Sequence, residues 1–299
     1  MLGSILDLHG LFPPIPTPFD ETGAIDSAAL AEHIRFLSAF DLSGYVVLGS
    51  NGEAVHLSND ERDRLVKMAR ALVPKDRLLI VGTGCPSTRQ TIETSKQAAS
   101  LGADAVLVLP PHYYRGRMTM EALAAHFHAV ADAIDIPVII YNMPACTGMD
   151  LDTVTIAAIA EHANIIGLKD SGGNIAKLGV LHQMLGDGFQ ILAGSASFLL
   201  PALSVGAVGG VLALVNIAPA QCLSIQEHVL EGNWDRAREI QVQLIEANTA
   251  VTSRWGVAGL KAAMQMMGLP SSFVRAPLLD LREPGLGQVK QILKKSNIL

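Results

Sequence analysis

Cysteine is scarce: Cys85, Cys146 and Cys222 lie far apart among 299 residues, with no CxxC pair. A chain of this size with so few is not a disulfide scaffold. Aromatic residues make up 5% and charged residues 17%, and 22 Lys+Arg against 28 Asp+Glu leave a net charge of −6. No basic run occurs, so a nucleic-acid backbone would find no electrostatic footprint, and no nucleic-acid partner is expected. None of the nine histidines forms HExxH or an HxH on a strand. His126 and His128 stand two apart on a predicted helix, where they cannot share a face, so no metal is expected. Gly82-Thr83-Gly84 lacks the third glycine of a dinucleotide loop.

An uncharged stretch of 39 residues, Gly188 to Gln226, needs its own account. A bilayer-spanning helix takes about 20 consecutive, mostly apolar residues. Here Gly194, Ser195, Pro201, Gly206, Gly209, Gly210 and Pro219 interrupt the run, so two buried strands and their crossover are expected and no membrane partner. Met1–Asp7 has neither a basic n-region nor an apolar h-region, which leads us to expect a cytoplasmic chain without a signal peptide.

What the chain does have is apolar residues, 49% of it, enough for a large core and too many for disorder. Its length divided by about 150 would give two domains, yet a (β/α)8 barrel uses about 250 residues as one. Short apolar runs predict strands at Gly10–Ile15, Gly44–Gly49, Leu78–Gly82, Ala105–Leu109, Pro137–Tyr141, Ile165–Lys169, Gln190–Ala193 and Gly209–Leu214. Amphipathic segments alternate with them. Ser58 with Glu61 three residues on spells a capping box, and Ser87 and Thr119 open further helices. Eight such alternations favour a (β/α)8 TIM barrel over an open doubly wound sheet. The expected division is a barrel core over 1–218, then a final barrel helix and a helical C-terminal extension over 219–299. Those last helices are placed at Pro219–Glu231, Trp234–Arg254, Val257–Met267 and Gly287–Lys295.

Active sites of such barrels lie at the C-terminal ends of the strands. Of nine lysines only Lys169 ends a predicted strand. Desolvation there would free its amine to attack a ketone, while a salt bridge with Asp170 or a carboxylate across the barrel is the competing fate. Tyr141 ends the neighbouring strand and is either a proton shuttle or a core aromatic. Gly49-Ser50-Asn51-Gly52-Glu53 offers backbone N–H groups and two polar side chains to a carboxylate. Pro110–Arg117, with Tyr113, Tyr114, Arg115 and Arg117, could cap a pocket or reach a neighbouring subunit, or pack as an ordinary loop. A phosphorylated substrate is disfavoured, since the loop after strand eight, Val215–Pro219, has no glycine; Gly194-Ser195 is the one remaining cradle.

Taken in order, PPIPTPF (Pro13–Phe19), GSNGE, YYRGRM, YNMPACTG, GLKDSGG and LAGS resemble the dihydrodipicolinate synthase / N-acetylneuraminate lyase family of class I aldolases. Most specific is YNxP followed, 28 residues after its Tyr, by the strand-ending Lys of GLKDS. The resemblance implies Lys169 as Schiff-base lysine, Tyr141 as proton relay, and Ser50 and Asn51 as holders of a 2-oxo acid carboxylate. It further implies Gly194 and Ser171 as substrate contacts, and one of Tyr113 and Tyr114 as a residue crossing a subunit interface. No metal or organic cofactor is implied, and a homotetramer is. Two departures narrow the branch: Ser50-Asn51 stands where dihydrodipicolinate synthases carry Thr-Thr, and Cys146 where they carry an arginine. The motifs, RAPL at Arg275 included, look most like the 4-hydroxy-2-oxoglutarate aldolase branch. Alternatives are another pyruvate-dependent lyase (a 2-keto-3-deoxy sugar acid aldolase, a hydratase-aldolase or a dihydrodipicolinate synthase) and a non-catalytic 2-oxo acid-binding barrel. For the distal carboxylate of such a substrate, Arg115 or Arg117 is the expected ligand.

Overall fold

Runs such as AVLV and VIIYN are apolar at every position, which suits strands covered by side chains inside a cylinder and by helices outside it. The computed structural model describes residues 6–270 and 273–299, and in it these runs form eight parallel strands. They are β1 (Gly10–Phe12), β2 (Gly44–Val47), β3 (Leu78–Gly82) and β4 (Ala105–Val108), then β5 (Val138–Asn142), β6 (Ile165–Asp170), β7 (Gln190–Ala193) and β8 (Gly209–Val211). From β2 to β8 each pairs with its neighbour in sequence, and β8 pairs with β1. Between β1 and β2 a single bridge, Pro14 to Val46, completes the circle. There the Val46 N–H donates to Pro13 O at 3.0 Å and the Ile15 N–H to Val46 O at 2.8 Å. The cylinder therefore closes, and the open-sheet alternative falls.

Four strands end earlier than expected, β2 at Val47 and β4 at Val108 by one or two residues, β1 and β8 by three. Pro13 and Pro14 have no N–H to offer, so β1 ends at Phe12 instead of Ile15. β8 ends at Val211, because Ala213–Asn216 tightens into a 3-10 turn. Buried Asn216 ties that turn to its surroundings, donating to Ala213 O at 3.0 Å and Pro14 O at 3.1 Å.

Side chains fill the cylinder: Phe12, Val46, Ile80, Leu107, Ile139, Leu192 and Val211 meet inside, with Leu8 below them. The helices that cover its first half are α1 (Ser27–Leu37), α2 (Asn59–Leu72), α3 (Thr88–Ser100) and α4 (Met120–Asp132). Next come a short α5 (Pro144–Thr147), α6 (Thr153–Ala160), α7 (Ile175–Leu185) and a short α8 (Leu199–Leu203). The Ser58–Glu61 capping box forms in both directions, at 3.3 and 2.9 Å, and Ser87 and Thr119 each accept an N–H as caps. Such caps stabilise by about 1 kcal/mol each.

Beyond β8 lie α9 (Pro219–Leu230), α10 (Trp234–Thr249), α11 (Gly256–Met266) and α12 (Gly285–Lys295). The helix expected over Trp234–Arg254 breaks at Thr249, where one wider π turn, Ala250–Arg254, follows. Just before it, buried Asn248 donates to Ser195 Oγ and Ser197 Oγ at 2.8 and 2.7 Å, fastening α10 to the loop after β7. No helix among the described residues is long and apolar enough to cross a membrane. Residues 1–5, part of the stretch read for a leader, lie outside the described residues.

Candidate active site

The site begins with an irregularity in β6. Along a regular strand, residues two apart face the same side. Ile166 nevertheless points into the cylinder while Leu168 packs outside it against the helices. A β-bulge is the cause: Val138 pairs with Ile165 but Ile139 with Gly167, so β6 holds one extra residue. The bulge inverts the alternation and turns Lys169 inward, its Nζ 4.0 Å from the centroid of the Tyr141 ring. Gly167 permits the arrangement, because a Cβ there would stand 2.3 Å from the Gln190 carbonyl oxygen of β7.

Three lysines are buried, at 4% exposure for Lys169, 8% for Lys177 and 3% for Lys261. Two of them are ion-paired. Lys177 Nζ sits 2.9 Å from Asp170 and 2.5 Å from Asp150, and Lys261 Nζ donates to Glu53 at 2.6 Å. Lys169 is different. Asp170, the partner considered for it, is taken by Lys177, and among the described residues no carboxylate pairs with Lys169. Nothing in the local sequence marks Lys177 or Lys261, since the acids that hold them come from other elements.

The loop after β2 brings Ser50 to the same place, its Oγ 3.3 Å from the Tyr141 hydroxyl. Its path is strained: Leu48 and Glu53 adopt left-handed φ of 58° and 50°. Gly82 makes room, since a Cβ there would lie 2.1 Å from Leu48 O. The C-terminal half of the chain holds the loop in this shape. Besides Lys261, the Glu53 carboxylate takes the Arg275 N–H at 2.9 Å, and Lys261 also donates to Thr17 O and Phe273 O. The Arg275 guanidinium in turn pairs with Glu61, holding that carboxyl down at about 2, and lies over the Phe19 ring. Lys261→Met strands the Glu53 charge in the interior. It is expected to cost about 3–5 kcal/mol in denaturant unfolding, with weaker binding at the Ser50 loop. A loss below about 1 kcal/mol would show that Glu53 does not depend on it.

Ser50, Tyr141 and Cys146 line one cavity of about 410 Å³, together with Gly49, His112 and Arg62. That volume suits a small metabolite. Arg62 was not anticipated; it is one residue past the capping box and nothing in its spacing marks it. Neither Arg115 nor Arg117 lines the cavity. Asn51 is half-exposed beside Ser50. Ser171 and Gly194 follow the ends of β6 and β7. The Gly194 N–H donates to Asp170 O at 2.7 Å, and a Cβ at Gly194 would stand 2.1 Å from Ser171 Oγ, so only glycine fits there. Tyr113 and Tyr114 contact each other edge to face and stand 78% and 71% exposed, and neither lines the cavity. His33 and His126 are kept neutral by burial, each pulled down to about 4, which leaves neither available for acid–base work near pH 7.

Known proteins share this architecture. Residues 7–296 match the model of the dihydrodipicolinate synthetase family. A probable mitochondrial 4-hydroxy-2-oxoglutarate aldolase of Emericella nidulans is 39% identical over 261 residues, covering 86% of this chain and 84% of the relative. A 4-hydroxy-tetrahydrodipicolinate synthase of Acidiphilium cryptum is 36% identical over 291 residues, 97% and 99% of the two chains. Among solved structures, the 4-hydroxy-tetrahydrodipicolinate synthase of Methylacidiphilum fumariolicum SolV superposes with a TM-score of 0.92 at 32% identity, covering 97% of this chain and 96% of its own. A prophage protein of the dihydrodipicolinic acid synthase family from E. coli K12, solved with pyruvate, gives 0.92 at 29% identity, with 98% and 99% covered. A match this complete, on a closed barrel with a buried lysine beside a tyrosine at its mouth, makes this chain a lyase of the dihydrodipicolinate synthetase family.

Proposed function

We propose that the protein is a Schiff-base aldolase that cleaves 4-hydroxy-2-oxoglutarate into pyruvate and glyoxylate. The observation that carries this reading is the state of Lys169: of the three buried lysines it alone is left without an acid partner among the described residues. An amine out of water and not locked to a carboxylate is left open to attack a substrate carbonyl.

The Lys169 amine attacks the C2 ketone, and loss of water leaves an iminium. That cation draws the electrons of the C3–C4 bond as the C4 hydroxyl gives up its proton, and C4 departs as the aldehyde of glyoxylate. The remaining enamine takes a proton at C3, and water hydrolyses the iminium to pyruvate and free amine. Tyr141, under Lys169 and bonded to Ser50, is the group placed to accept the hydroxyl proton and return it. Ser50, Asn51 and the amides of their loop hold the C1 carboxylate. Ser171 and Gly194 border the reacting carbons. The Emericella relative supports the choice of branch, as do Ser50 and Cys146 in the cavity wall and Asn51 next to Ser50. Exposed Tyr113 and Tyr114 fit a homotetramer in which one of them meets a neighbouring subunit.

Borohydride reduction with pyruvate present, followed by peptide mass mapping, is expected to place a reduced pyruvate adduct on the Lys169 peptide. Its absence would end the aldolase reading. Coupled assays with pyruvate plus glyoxylate, aspartate semialdehyde or sugar-derived aldehydes should rank glyoxylate first. Preference for aspartate semialdehyde would move the protein to the synthase branch.

A further inference from the structure

Behind the reacting pair lies a second buried ion cluster, on the outer face of the same two strands. Asn142 and Asp170 are register partners one step beyond Tyr141 and Lys169. Asn142 Nδ2 donates to Asp170 Oδ2 and to Asp150 Oδ1, both at 2.7 Å. Lys177 Nζ, from α7, reaches the same two carboxylates at 2.9 and 2.5 Å. The other Asp170 oxygen accepts the N–H groups of Gly172 and Gly173 at 2.9 and 3.1 Å. Asp170 is fully buried, so nothing but these partners offsets its charge.

We propose that Lys177 is a positioning residue for the lyase reaction: it compensates Asp170 so that this buried carboxylate, on the outer face of β6, does not act through the strand on the neighbouring Lys169 amine. The proposal rests on the Schiff-base reading given above. An uncompensated Asp170 would be a fixed, desolvated negative charge one residue from the nucleophile, and such a charge favours the protonated form of an amine across the low-dielectric interior. Among the described residues no carboxylate is paired with Lys169. Tyr141 of β5 offers Lys169 its ring, the β7 residue in register is Leu192, and Glu53 beyond Ser50 is held by Lys261. Lys177 also ties Asp150, on the chain after α5, to the end of β6, which fixes the strand ends that carry Tyr141 and Lys169.

The test compares Lys177→Gln, which keeps a hydrogen-bond donor without the charge, with Lys177→Arg, which keeps both. Trapping of the pyruvate adduct at Lys169 and kcat/KM are followed from pH 6 to pH 10. For Lys177→Gln we expect both profiles to move up by about one pH unit, with about tenfold lower trapping and kcat/KM near neutrality and recovery at high pH. Lys177→Arg should keep the wild-type profile. The double variant Asp170→Asn/Lys177→Gln, which leaves no buried charge uncompensated, should return the profile to its wild-type position even where Lys177→Gln alone folds poorly. A uniform loss in Lys177→Gln with an unmoved profile would overturn the proposal, as would a double variant whose profile stays displaced. Failure of the wild-type protein to form the adduct would instead overturn the Schiff-base reading beneath it.

Discussion

Lys169→Ala is expected to abolish turnover while leaving the barrel folded. General acid–base assistance alone contributes about 10²–10⁴-fold, so removing the covalent route should cost at least the upper end of that range in kcat. Trapping with borohydride and pyruvate should fail at the same time. Stability should move the other way, or not at all. Lys169 is 4% exposed and has no carboxylate partner among the described residues, so its amine is desolvated without the compensation that Lys177 and Lys261 receive. Taking it away removes that burden, and the thermal midpoint of the variant should equal or exceed that of the wild type. Retained turnover in Lys169→Ala, or a collapse of its thermal midpoint, would show that the side chain serves the fold and not the reaction.

Tyr141→Phe should separate the steps of the reaction. The ring beneath Lys169 stays, so the amine keeps its apolar neighbour and the adduct with pyruvate should still form. Only the hydroxyl and its contact with Ser50 are lost. Proton transfer to and from the substrate then lacks its carrier, and kcat should fall by about 10²–10⁴-fold with a much smaller change in KM. The missing hydrogen bond should cost only about 0.5–1.5 kcal/mol of stability. A kcat within about tenfold of wild type would reduce Tyr141 to a core aromatic, the alternative its position in the sequence left open.

Much of the barrel was legible because it depends on composition and spacing. Eight apolar runs with capped helices between them needed no partner to be recognised, and Ser58 with Glu61 announced its own box. Strand ends were less legible where backbone chemistry intervened. Pro13 and Pro14 ended β1, and the tie from Asn216 bent the chain after β8. The site divided along similar lines. Lys169, Tyr141 and Ser50 were found because each follows or ends an apolar run. The bulge that turns Lys169 inward left no trace, since Ile165 and Ile166 read alike whichever of them is the extra residue. Lys177, Lys261 and Arg62 were missed because their meaning lies in partners far along the chain, such as Glu53 for Lys261, 208 positions away. Tyr113 and Tyr114 were singled out by sequence and stand at the surface, outside the cavity.

The clasp on Glu53 also bears on the order in which the molecule is made. Ser50 and its loop leave the ribosome early, while the ammonium and the N–H that secure them belong to residues 261 and 275. A nascent chain halted before that point carries Lys169, Tyr141 and Ser50 but not the clasp that fastens the Ser50 loop. Competence therefore arrives only with the last helices, and any product cut short in that region should be chemically silent even where its strands have already met.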